Sequence, residues 1–120
     1  MPRKTKQNNI TSPELLERIN PDNKQLLEDY ILYLKSVQRS SQTILSYKND
    51  LEIFFVWLLQ HAKNKFFVDI TKRDIIAFQN WLLTVNNNSP ARIRRLKSTL
   101  SSLGNYIEAM LDEEYPKFRN

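Results

Sequence analysis

Arg92, Arg94, Arg95 and Lys97 fall within six consecutive residues, and Ser98 follows them directly. Phosphate is the simplest partner for cations at that density with a hydroxyl beside them. A second stretch, Ser41, Gln42, Thr43, Ser46, Tyr47 and Lys48, supplies hydroxyls, an amide and a lysine. Such groups at a helix start suit phosphates and base edges, although caps and a solvated face would also account for them. Covalent and metal chemistry find no comparable set. The chain has no cysteine, and its one histidine, His61, has no second histidine or catalytic partner near it. His61 therefore reads as a surface residue at a helix end. One glycine in the whole chain excludes Gly-rich phosphate loops of either the dinucleotide or the P-loop kind.

The elements that must carry these groups are helices. Tight hairpins need Asn-Gly or Asp-Gly turns, which the chain lacks, and its apolar residues recur at spacings of three and four. The expected fold class is all-α. Ser12-Pro13 caps and opens a short helix to about Ile19, and Asn20-Pro21 repeats that grammar for a helix to about Gln38. The second helix presents Leu26, Leu27, Tyr30, Ile31 and Leu34 on one face. Cap residues at Arg39–Thr43 lead into a third helix to about Gln60, with Ile44, Leu51, Phe54, Phe55 and Leu58 as its core stripe.

Phe66–Val68 reads as a short extended apolar link. Thr71-Lys72-Arg73-Asp74 has capping-box spacing and starts a helix to about Val85, whose inner face is Ile75, Ile76, Phe78, Trp81, Leu82 and Val85. Trp57 and Trp81 could stack on bases, but both lie in apolar stripes and read as core. Ser89-Pro90 opens the last helix, carrying Ile93, Leu96, Leu100, Leu103, Ile107, Met110 and Leu111 to about Glu113. Its stripe keeps phase across Gly104. The cations of this helix crowd its N-terminus and the acids Glu108, Asp112, Glu113 and Glu114 its other end, both opposed to the helix dipole. Residues that break a local rule at both ends point to a role other than stability.

At 120 residues the chain makes one domain, expected over 12–114, between a flexible basic arm at 1–11 (Arg3, Lys4, Lys6) and a linker at 115–120. A charge of +5 and a pI near 9.6 favour acidic partners, nucleic acid or anionic lipid. No apolar run is long enough to span a bilayer, and the polar N-terminus lacks the apolar segment of a signal peptide. The expected compartment is cytoplasmic, with no membrane partner, no cofactor and no metal.

Three stretches together resemble the N-terminal domain of tyrosine recombinases, the phage integrases and Xer-type enzymes. The first is Ser40, Thr43, Tyr47, Asp50, Leu51, Phe54, Trp57 and Leu58. The second is Asp69-Ile70-Thr71 with Asp74-Ile75, Phe78 and Trp81-Leu82. The third is Arg92, Arg95-Leu96, Ser98, Leu100, Leu103 and Tyr106. The resemblance covers roughly 23–111 and rests on order and spacing, because each stretch alone is ordinary helix grammar.

What the resemblance implies is a SAM-like bundle of four main helices with a short extra N-terminal helix, the core-binding domain. In the family this domain forms half of a clamp around recombination-site DNA. By position, Thr43, Tyr47 and Lys48 match one DNA-facing helix, and Arg92, Arg94, Arg95, Lys97 and Ser98 match the other. The family's catalytic arginine, lysine, His-x-x-Arg element and nucleophilic tyrosine belong to a separate domain. His61 is followed by Ala-Lys-Asn, so no tyrosine here is credited as a nucleophile and no catalytic residue is expected. The function implied is binding of double-stranded DNA without cutting it, as part of a recombinase that self-associates only on DNA. The alternative is a helical protein–protein interaction module for an acidic partner. If DNA is bound, replacing Arg92, Arg94, Arg95 and Lys97 together is expected to abolish binding and leave the fold intact or stabilised. Four neutralised phosphates would give a log–log salt slope of roughly −3.6.

Overall fold

The computed structural model describes residues 11–119, which form five α-helices and a 3₁₀ turn and no strands. The expected arm at 1–11 lies, apart from Thr11, outside the described residues. The helices are α1 (Pro13–Arg18), α2 (Pro21–Ser36), α3 (Ser41–His61), α4 (Lys72–Thr84) and α5 (Pro90–Met110).

Each helix starts where a side-chain oxygen takes up an orphan N–H. Ser12 accepts from Leu15 N at 3.2 Å, Asn20 from Asp22 N at 2.8 Å, Ser40 from Thr43 N at 3.1 Å and Ser89 from Arg92 N at 3.1 Å. At α4 the capping box closes both ways: Asp74 N donates to Thr71 Oγ1 at 3.3 Å, and Thr71 N donates to Asp74 Oδ2 at 2.8 Å.

Helix α3 is the axis of the bundle, and α1, α2 and α5 all pack on it while α4 packs on α5. Its segment from Leu51 to Leu58 is buried almost all round, which only a helix covered on several sides can sustain. Phe54 sits among Phe78, Trp57 and Phe67 at centroid distances of 4.9, 6.0 and 6.0 Å. Trp57 is core, and Trp81 packs against it from the edge. His61 is exposed at the last residue of α3, against the rings of Trp57 and Trp81. Gly104 is buried inside α5 without interrupting it. Among the described residues no helix is long and apolar enough to cross a membrane.

Several expectations need correction. Phe67–Asp69 is a 3₁₀ turn, not an extended link, and it drives Phe67 into the core. Ile76, Val85 and Met110, expected on inner faces, are each more than half exposed. The last helix ends at Met110 and not near Glu113, because the Leu111 backbone leaves helical geometry (φ −122°, ψ 24°) and its carbonyl takes the N–H groups of Glu114 and Tyr115. Residues 115–119 turn back onto the bundle, where Tyr115 meets Phe66 at 5.7 Å and Phe118 meets Phe67 at 6.3 Å.

Candidate nucleic-acid interface

Because α5 opens at Pro90, its first two turns carry the whole basic cluster. The helical period splits that cluster in two. Arg92, Arg95 and Thr99, at spacings of three and four, face α3; Arg94, Lys97 and Ser98 are exposed.

The inward set converges on one residue. Asp50, in the middle of α3, is only 1% exposed. Its Oδ1 accepts from Arg95 Nη2 at 2.7 Å and from Arg92 Nη1 at 3.1 Å, while its Oδ2 accepts from Thr99 Oγ1 at 2.8 Å. A lone buried carboxylate would be costly, and two guanidinium groups and a hydroxyl make this one tolerable. Arg92 is itself largely covered, at 17% exposed, and its Nε is buried without a hydrogen-bond partner. Arg95 is 53% exposed, so it serves Asp50 with one nitrogen while most of its guanidinium stays open to solvent.

Arg92 and Arg95 also line a groove of about 700 Å³ between α5 and the N-terminal half of α3, together with Gln42, Ser46, Asn49 and the acid Glu52. The fold thus brings Gln42 and Ser46 beside the two arginines. Thr43 is tied to its own cap, its hydroxyl accepting from Ser40 Oγ at 2.9 Å. Tyr47 points to the α2 side and stacks on Tyr30, with centroids 6.3 Å apart and planes within 5°. Lys48 pairs with Glu52 at 3.1 Å, and Ser41 is exposed in the first turn of α3.

The outward set, Arg94, Lys97 and Ser98, lines a cleft of about 500 Å³ with Ser101 and Ser102, and no acidic residue lines it. Lys97 also reaches a neighbouring, mostly apolar cleft towards the start of α4 that holds Lys72 and Arg119, whose Nη1 donates to the Pro116 and Phe118 carbonyls. Sequence reasoning misses Lys72 and Arg119, and it places Asp50 in a motif without giving it a role. Asp50 carries a signal: it is in phase with Phe54 and Trp57 on the buried stripe, where a charge needs a partner.

Residues 26–116 match the family model for the phage integrase N-terminal SAM-like domain. The chain belongs to that family. This SAM-like domain is also similar to the SPbeta prophage-derived recombinase-like protein YomM of Bacillus subtilis (strain 168), with 31% identity over 107 residues. The match takes in 87% of the chain and 31% of the relative, so the chain spans about a third of the length of that protein. No solved structure gives a significant match. The basic face of the SAM-like domain lies within the matched region, apart from Arg119.

Proposed function

We propose that this integrase SAM-like domain binds double-stranded DNA at a recombination site, as the non-cleaving half of a tyrosine recombinase. The observation that carries this reading is the pair Arg94 and Lys97. Both are exposed, and both line a cleft without acids. Arg92 and Arg95 are accounted for by Asp50, but nothing among the described residues accounts for these two. Phosphate does, and Ser98, Ser101, Lys72 and Arg119 extend the same surface. The groove between α3 and α5 adds Gln42, Ser46 and Arg95 as groups that hydrogen-bond bases or phosphates. In this reading the protein works in the cytoplasm and self-associates only on DNA, and cleavage chemistry comes from another part of the recombinase.

The test is an NMR titration with a short generic duplex at low salt. Shifts concentrated at Arg94, Lys97, Ser98 and the α3–α5 groove, and reversed by salt, are the expected result. No shifts would overturn the reading.

A second reading, docking of an acidic protein, has one observation in its favour. Ile76 and Leu83, 64% and 52% exposed, line a cleft of about 460 Å³ with Ile93, Arg94 and Lys97. An acidic partner that binds this cleft in a chain indifferent to DNA would establish that reading instead.

A further inference from the structure

The DNA-binding reading, on which the following rests, leaves open how the half-exposed Arg95 differs from the exposed cations beside it. Arg94 and Lys97 project from the outer face, and a flexible cation is enough to neutralise a phosphate. Arg95 is held. Its Nη2 is fixed 2.7 Å from Asp50 Oδ1, and that carboxylate is fixed in turn by Arg92 and by the Thr99 hydroxyl. The Thr99 hydroxyl, whose one proton goes to Asp50, also lies 3.2 Å from the Arg95 carbonyl, so the anchor sits on the same turn of α5. A guanidinium tethered through one nitrogen has lost part of its freedom already, so less ordering entropy remains to be spent when a ligand arrives.

We infer that Asp50 is a positioning residue, which holds Arg95 as a fork lining the α3–α5 groove. The fork takes a pair of acceptor atoms on duplex DNA. Two such pairs fit it: two oxygens of one phosphate, or the O6 and N7 of a guanine edge. Gln42, Ser46 and Asn49 in the same groove supply neighbouring hydrogen-bonding groups, and Glu52, which also lines it, is paired with Lys48.

Charge and geometry predict opposite results for Asp50→Asn. Removing a negative charge beside the groove strengthens DNA binding if only electrostatics matters. If Asp50 acts through Arg95, binding weakens instead. The experiment is a double-mutant cycle of Asp50→Asn and Arg95→Lys, read as affinity at fixed salt for a G·C-rich duplex and for an A·T-only duplex of equal length. Melting curves confirm that each variant is folded.

The expected result is a loss of about five- to tenfold for each single variant, with no further loss in the double variant. Equal losses on both duplexes identify phosphate as the acceptor pair; losses confined to the G·C-rich duplex identify guanine. Wild-type affinity for Arg95→Lys, tighter binding for Asp50→Asn, or losses that multiply would each overturn the inference while leaving DNA binding intact. A wild-type domain that binds neither duplex would overturn the DNA reading as well. If Asp50→Asn does not fold, Thr99→Val takes its place in the cycle, because it removes the hydroxyl on Asp50 Oδ2 and keeps the side-chain shape.

Discussion

Arg92 of α5 and Asp50 of α3 form an ion pair of 3.1 Å in which both side chains are largely out of water. The pair joins the two helices that carry the candidate interface, and it argues against removing all four cations of the cluster without cost to the fold. Arg92→Ala leaves Asp50 with only Arg95 and the Thr99 hydroxyl, so the expected cost is below the roughly 3–5 kcal/mol of a buried charge left without any partner. Arg95→Ala, at the exposed side of the same carboxylate, is expected to cost less. Urea unfolding of the two single variants checks this order, and an Arg92→Ala domain as stable as wild type would show that the pair is not a structural one.

Arg94→Ala with Lys97→Ala is therefore the variant that separates function from folding. Both residues are exposed on α5, so stability is expected to stay within about 0.5 kcal/mol of wild type. DNA affinity falls, and the log–log salt slope flattens by roughly 1.8, or about 0.9 for each phosphate no longer neutralised. Anisotropy titrations over a range of salt concentrations measure the slope directly. An unchanged slope would remove these two residues from the phosphate footprint.

The starts of the helices are legible in the sequence because a cap is local: Ser12, Asn20, Thr71 and Ser89 each meet a donor no more than three residues away. The core stripes are legible for the same reason, through period alone. Pairing across the fold is not. Asp50 meets Arg92 and Arg95 from more than 40 positions away, and Asn23, fully buried in α2, binds the backbone at Lys65 and Phe67 across a similar span. The helical period divides four neighbouring cations between two faces, but which face is paired stays unknown until α3 supplies the carboxylate. Hence the cluster is visible in the sequence and its partner is not.

Asn23 gives a stability prediction of the same long-range kind. Its Nδ2 donates to the Lys65 carbonyl at 3.0 Å and its Oδ1 accepts from Phe67 N at 2.8 Å, pinning the 3₁₀ turn to α2. Asn23→Ala strands both backbone groups in a buried place, at an expected cost of about 2–3 kcal/mol. Asn23→Asp keeps only an acceptor and loses the Lys65 bond. Denaturation midpoints of the two variants test the clasp, and a neutral Asn23→Ala would show that water replaces it.

Past the end of α3 the backbone is left-handed at two successive residues that are not glycine, Lys63 (φ 59°) and Asn64 (φ 53°). The Lys63 side chain is exposed and does not hold that conformation in place, so Lys63→Gly is expected to stabilise the domain by about 1 kcal/mol, the ordinary penalty of that conformation. Asn64→Gly relieves the same strain but is expected to destabilise. The Asn64 side chain accepts from Asn20 N at 3.0 Å and donates to the Arg18 carbonyl at 3.0 Å, holding the α1–α2 junction. Opposite signs for neighbouring glycine substitutions, read by melting temperature, are the expected outcome. The same sign for both would show that either the left-handed strain or the Asn64 bonds do not govern the stability of this turn.

Alkaline pH tests the tyrosine stack that joins α2, α3 and α5. Tyr30 lies 6.3 Å from Tyr47 and 5.2 Å from Tyr106. Burial pushes its phenol up to about 12, and the charge of a neighbouring Tyr47 phenolate adds to the rise, while a hydrogen bond with Ser102 works against it. Burial also raises Tyr106 and Tyr115. In the unfolded chain a tyrosine ionises near 10, so the folded state holds the proton more tightly between about pH 10 and 12. That contribution to stability is complete below about pH 10 and is lost as pH rises through the folded value. Tyr30→Phe keeps the ring and cannot ionise, so its stability is expected to fall less steeply above pH 10 than that of wild type. Urea midpoints measured from pH 8 to 12 compare the two slopes, and parallel curves would show that the Tyr30 phenol does not set the alkaline limit of the fold.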